Sequence, residues 1–140
     1  LRQGVRGFLT GSLDLVVRIA SPEGPRFAVL DYKTNWLGEP DEPLTAWHYR
    51  PQALIGEMHR RHYGLQALLY LVAAHRFLRW RVAGYDPARH LGGVLYLFLR
   101  GMSGPETPVL HGARCGVFSW PAAPGLVTRL SDALDAGGAA

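Results

Sequence analysis

Cysteine is almost missing from this chain: Cys115 stands alone among 140 residues. An internal disulfide is therefore excluded, as is a zinc or iron–sulfur site built from several thiolates, and a reducing cytoplasm is the expected compartment. Long hydrophobic runs are lacking too. The longest apolar stretch, residues 65–74, is interrupted by Gln66 and Tyr70 and is too short to cross a bilayer. There is no Gly-x-x-x-x-Gly-Lys-Ser/Thr loop to cradle a nucleotide triphosphate. Internal repeats and low-complexity blocks are absent as well. Lysine is the scarcest charge, since Lys33 is the only lysine among fifteen Lys and Arg residues. A chain that writes its positive charge as arginine but keeps one lysine points to a position that needs a compact, mobile ammonium rather than a planar fork.

What is present defines one globular unit. With 48% hydrophobic and 19% charged residues the chain can bury a sizeable core. Residues 1–136 are expected to form a single domain, and residues 137–140, Gly-Gly-Ala-Ala, a disordered tail. The chain opens at Leu1, without a methionine, and is read as a piece of a longer polypeptide. Its net charge of +4 suits a polyanionic partner without requiring one.

Residues 4–19 alternate imperfectly and are rich in β-branched side chains, which predicts a strand with a bend near Gly11. The dense turn signal at residues 20–25 and the apolar run at residues 27–32 then predict an antiparallel hairpin. Residues 35–43 read as a solvated acidic loop. Pro51 opens a helix, Gly64 marks a break, and a second helix is expected over residues 65–82. Residues 92–99 form the clearest strand, apolar enough to lie at the centre of a sheet, and Gly92-Gly93 predicts a close backbone approach at its start. After a loop at residues 101–116, residues 117–120 suit an edge strand, and residues 124–136 carry the spacing of a closing helix. The fold class is α/β, a small mixed sheet flanked by helices.

Within this frame the chemistry gathers at Leu30-Asp31-Tyr32-Lys33 and at Asp14. Two carboxylates and an ammonium stand in otherwise greasy strands, where an unpaired buried charge costs on the order of 3 kcal/mol or more. A divalent cation removes that cost. Because strand side chains alternate with period two, Asp31 and Lys33 share a face while Tyr32 turns away and still offers its carbonyl. The residues fit a magnesium-assisted phosphodiester hydrolase, and they equally fit a plain Asp–Lys bridge at a strand end.

The run Gly7-Phe8-Leu9-Thr10-Gly11-Ser12-Leu13-Asp14-Leu15-Val16, followed by Leu30-Asp31-Tyr32-Lys33-Thr34-Asn35-Trp36-Leu37-Gly38, resembles the RecB C-terminal nuclease domains of the PD-(D/E)xK superfamily. Gln66 with Tyr70 resembles that family's Q-x-x-x-Y helix motif, and residues 90–101 resemble the strand that follows it. The likeness spans residues 7–134. It implies a restriction-endonuclease-like core and Mg²⁺-dependent hydrolysis of DNA, acting on the single strands released by unwinding in a helicase–nuclease that repairs double-strand breaks. It further implies that Asp14 and Asp31 bind Mg²⁺ through carboxylates and Tyr32 through its carbonyl, with Mn²⁺ or Ca²⁺ able to substitute. Lys33 would be catalytic, Asp31 and Asp14 with it, and Gln66 and Tyr70 would face the cleft to contact DNA or support the site. RecC and RecD would be partners, and ATP binding would belong to other parts of the full-length polypeptide. The family's further histidine ligand lies in a helix upstream of this chain. An alternative from a different class is a non-catalytic DNA-binding or assembly module on the same fold.

Other candidates carry less. The six histidines show no metal-ligand spacing, and the His59-Arg60-Arg61-His62 run reads as a solvated helix end. Trp36 and Trp47 are expected to pack against the helices, and Cys115 to be an inert thiol.

Overall fold

The computed structural model describes residue 7 and residues 10–138. A turn closed by Gly24, whose N–H donates to the Ser21 carbonyl and whose φ of +109° only glycine adopts freely, joins β1 (Leu15–Ile19) to β2 (Arg26–Lys33). The two strands pair antiparallel, Leu15 with Leu30 through Ile19 with Arg26, as the turn chemistry predicts. The first strand is shorter than expected. Residues 10–14 carry no strand, and residues 4–6, 8 and 9 of the predicted span lie outside the described residues. The ladder ends for a local reason: the Asp14 carboxylate, rather than a backbone carbonyl, accepts the Tyr32 N–H at 3.2 Å.

A crossover then carries the chain through a short 3-10 turn (Ala46–Tyr49), α1 (Pro51–Arg60), α2 (Tyr63–Arg81) and α3 (Pro87–His90). It returns as β3 (Leu91–Phe98), parallel to β2, a pairing that requires a crossover connection of this kind. Pro51 occupies the first turn of α1, where its missing N–H costs nothing. The break between α1 and α2 falls at Arg61 and His62, not at Gly64. His62 takes the left-handed conformation, φ 55°, and Gly64 sits inside the first turn of α2.

The four-stranded sheet runs in the order β1-β2-β3-β6, with β6 (Val117–Trp120) at one edge; a separate small hairpin joins β4 (Val109–Leu110) to β5 (Ala113–Arg114). β3 is thus central, and Leu91, Val94, Tyr96 and Phe98 on it are buried. Gly92 and Gly93 make the expected close approach. A methyl group on Gly92 would meet the Phe27 carbonyl, and one on Gly93 would overlap the Trp120 carbonyl. The closing helix α4 (Pro124–Gly138) is longer than predicted, with Gly137 and Gly138 in its last turn rather than in a tail. It is clamped to α2 by Arg76, which donates to Ser131 Oγ, to the Ser131 carbonyl and to Asp135.

The core lies between the sheet and these helices, where Leu54, Leu71, Leu78, Val29 and Val127 meet Tyr96 and Phe98. Each large side chain buried there contributes about 1.5–3 kcal/mol. Cys115 is buried and unpaired, an inert thiol as expected. No helix among the described residues is long and apolar enough to cross a membrane.

Candidate active site

The period of two on β2 sets Asp31 and Lys33 on one face, and the Lys33 ammonium lies 2.6 Å from Asp31 Oδ2. The parallel register sets Asp31 beside Tyr96 on β3. On α2 the four-residue spacing stacks Gln66 over Tyr70 above that face. The four polar residues then close a ring. Lys33 Nζ donates to Gln66 Oε1 at 3.1 Å, Gln66 Nε2 donates to the Tyr70 hydroxyl at 2.9 Å, and that hydroxyl donates to Asp31 Oδ1 at 2.9 Å.

Tyr63 and Tyr96 complete the setting, and the sequence reading did not single out either. Their stacked rings lie 5.8 Å apart, and the ammonium sits 4.2 Å from the Tyr63 ring and 5.2 Å from the Tyr96 ring. Ring faces are negative, so this cage holds a cation without offering it a second counter-charge. The Tyr96 hydroxyl also donates to the Tyr63 carbonyl and to Gln66 Oε1, both at 3.2 Å. The available signal was the Tyr63 that directly precedes the Gln66 helix motif, together with the position of Tyr96 midway along the central strand.

Electrostatics keep the phenols protonated. Burial, then the hydrogen bond to Asp31, then the charges of Asp31 and Asp14 push the Tyr70 hydroxyl up to about 12. Burial raises Tyr96 as well, with the Asp31 charge adding to it. Both remain hydrogen-bond donors at neutral pH.

Asp14 comes from the neighbouring strand's approach. Asp14 stands one residue before the Leu15–Leu30 pair at which the ladder ends. Its carboxylate is held by the Tyr32 N–H. Tyr32 itself turns its side chain outward and is exposed. Beside this cluster a cleft of about 770 Å³ runs between residues 10–13 and α2, walled by His62, Leu65, Gln66, Leu69, Tyr70 and Ala73.

One atom in the site is under-used. Asp31 is 3% exposed, and its Oδ2 has the Lys33 ammonium close by but no hydrogen bond of acceptable geometry. A carboxylate oxygen has lone pairs for two donors, and a buried one normally accepts at least one hydrogen bond. The Asp31 carboxylate, the Asp14 carboxylate held on the Tyr32 N–H and the Tyr32 carbonyl are hard oxygen donors, which suit Mg²⁺, Mn²⁺ or Ca²⁺ and not a thiolate-seeking metal. Among the described residues no three His, Cys, Asp or Glu side chains come together, so these residues would hold only part of an ion's shell.

The remaining candidates fall elsewhere. Arg60 and Arg61 are exposed and bridge to Glu57. Trp36 and Trp47 do not pack against the helices as predicted. Both are more than half exposed, each with a guanidinium over its ring, Arg100 on Trp36 and Arg50 on Trp47. The buried His75 belongs to a structural contact with Tyr85, 3.0 Å away, and burial lowers its pKa, with Arg79 adding to the effect.

Fold and site together define an α/β domain with a nuclease-like core, whose carboxylate–lysine pair lies on a central parallel strand pair beneath a Gln/Tyr helix. The chain is 54% identical over 134 residues, 96% of its length, to RecBCD enzyme subunit RecB of Mycolicibacterium smegmatis. It is 53% identical over 135 residues to that of Mycobacterium tuberculosis, and 50% identical over 98 residues, 70% of its length, to that of Escherichia coli. No family model matches the chain. The chain is homologous to a segment of these RecB subunits. It spans 12% of the length of each mycobacterial relative and 8% of the Escherichia coli one.

Proposed function

We propose that this chain is the nuclease segment of a RecBCD-type helicase–nuclease and that it hydrolyses DNA phosphodiesters with Mg²⁺ in the repair of double-strand breaks. The observation that carries the reading is the buried Asp31 carboxylate, whose Oδ2 meets only the Lys33 ammonium, set in a ring closed by Gln66 and Tyr70.

Asp14 and Asp31 would hold the ion through their carboxylates and Tyr32 through its carbonyl. When bound, the ion neutralises charge on the phosphate and lowers the pKa of a coordinated water. The protein's own groups do the rest. The Tyr70 hydroxyl occupies Asp31 Oδ1 and so fixes which oxygen is left to bind. Gln66 and the two tyrosine faces hold the Lys33 ammonium beside Asp31, where it meets the negative charge that develops on the phosphate. The single strand released by unwinding would enter along the cleft beside Gln66 and Tyr70. RecC and RecD would be partners of the full-length protein, and ATP-driven unwinding would belong to the parts of it outside this chain.

A second reading, a non-catalytic DNA-binding or assembly module, draws on the absence of a three-ligand cluster among the described residues. One assay separates the two. In the full-length protein, cleavage of single-stranded DNA with Mg²⁺ should be lost in Asp31→Ala and in Lys33→Gln. Full activity in both variants would refute the assignment, and an inactive parent would favour the module.

A further inference from the structure

Helix α2 has two faces. Ala67, Leu71, Ala74 and Leu78 point into the core, whereas His62, Gln66, Leu69, Tyr70 and Ala73 wall the cleft. At 3.6 residues per turn the cleft-facing stripe does not stop at Ala73; its next positions are Phe77 and Trp80. Both stand out in solvent, Phe77 52% exposed and Trp80 74% exposed, and their rings meet edge to face at 6.5 Å. The Arg81 guanidinium lies 4.1 Å from the Trp80 ring and 5.7 Å from the Phe77 ring. Exposing a tryptophan costs the burial it forgoes, so an aromatic pair held out by a cation invites a partner with a flat face and negative charge.

The charge of the helix narrows the partner further. No Asp or Glu occurs anywhere in residues 63–81, and Arg79 and Arg81 are both exposed at its end. Arg76 is the exception among the cations, engaged with Asp135 and Ser131. Aromatic faces paired with arginine at the end of a helix that carries no acid of its own match the way proteins hold unpaired nucleic acid, bases on rings and phosphates on guanidinium groups. The patch is also continuous with the cleft. Tyr70 and Trp80 are ten residues apart, about 15 Å along the helix, which is about four stacked nucleotides at 3.4 Å each.

We infer that the outer stripe of α2 is a track for single-stranded nucleic acid, with Trp80 and Phe77 stacking a base about four nucleotides from the Asp31–Lys33 centre and Arg81 meeting its phosphate. The inference rests on the nuclease reading for the location of the reacting end, not for the stacking itself. It assigns the patch to a strand rather than to a protein partner.

The test has two arms, both in the full-length protein. In the first, the cleavage-blocked Asp31→Asn variant is irradiated with single-stranded DNA carrying one iodouracil at successive positions, and the crosslinked residue is found by mass spectrometry. Crosslinks to Trp80 or Phe77 are expected and should vanish when Trp80→Ala and Phe77→Ala are added. In the second arm, Trp80→Ala should raise KM for strands longer than about eight nucleotides by roughly 5- to 100-fold, leave kcat and the KM of the shortest strands unchanged, and be rescued by Trp80→Phe. Absence of both effects overturns the track, as does loss of partner subunits from Trp80→Ala with no crosslink at the patch. Crosslinking at Trp80 in a parent protein that cleaves nothing would leave the track standing and refute the nuclease reading instead.

Discussion

Two carboxylates are buried to the same degree in this domain, Asp31 and Glu57, each 3% exposed, yet their surroundings differ in kind. Glu57 is saturated. Its Oε1 accepts from Asn35 Nδ2 at 2.6 Å and from Arg61 Nε at 3.1 Å, and its Oε2 faces Arg60 at 2.7 Å. Asn35 is itself tied in, with the Tyr49 hydroxyl donating to its carbonyl at 2.7 Å. Asp31 has one oxygen satisfied by Tyr70 and one held only by the charge of Lys33. Burial alone therefore says nothing about function. The distinction lies in the partners: Glu57 meets two guanidinium groups and an amide, whereas Asp31 meets one caged ammonium and one phenol.

Substitutions at the two carboxylates should separate activity from stability. The largest effect is expected on cleavage: Asp31→Asn and Lys33→Gln should each lower the rate on the order of 10³-fold in a single-stranded DNA assay. Asp31→Asn keeps the Tyr70 hydrogen bond but removes the counter-charge of Lys33, so the quantity compared is cleavage per folded molecule, which should be lost. Glu57→Ala should behave in the opposite way. It should lose about 1–3 kcal/mol in chemical denaturation by stranding the Asn35 amide, with cleavage per folded molecule unchanged. If Glu57→Ala abolished cleavage in a fully folded protein, the contrast between the two sites would fail.

A smaller effect is expected at the lysine cage. Tyr63→Leu removes one aromatic face from the ammonium and should slow cleavage by about 2- to 30-fold, the worth of one cation–π contact at about 0.5–2 kcal/mol. Tyr63→Phe keeps the ring and should restore most of that loss. The smallest effect is one of pH. Tyr70 titrates at about 12 in the fold against an ordinary 10, so the stability it contributes is fully present below pH 10 and is lost as the pH rises towards 12. Denaturation followed across that window should show a shallower alkaline decline in Tyr70→Phe, whose deficit relative to the parent is largest below pH 10 and shrinks towards pH 12.

Much of this was legible in the sequence because it depends on short-range rules. The turn at residues 20–25 fixed the hairpin, the period of two put Asp31 and Lys33 together, and the four-residue spacing put Gln66 over Tyr70. The break at His62 was not legible, since Gly64 looked like the better interruption and only the left-handed backbone of His62 reveals the true one. Strand β1 was overread because Asp14 looks like strand text, whereas its side chain takes over the ladder hydrogen bond and ends the pairing. The lysine cage joins residues 33, 63 and 96, and no local pattern links positions that far apart. Trp36, Trp47 and Trp80 also escape composition-based reasoning, which sends tryptophan inward, while here arginine side chains cover their exposed rings.

The claim that Asp31 differs from Glu57 by holding metal is tested most directly by the anomalous density of manganese in crystals of the full-length protein soaked in Mn²⁺. The account predicts a peak bound by Asp31 Oδ2 and the Asp14 carboxylate, and none at Glu57. Density that leaves both aspartates bare, with Asp31 still held by Lys33 alone, would contradict it.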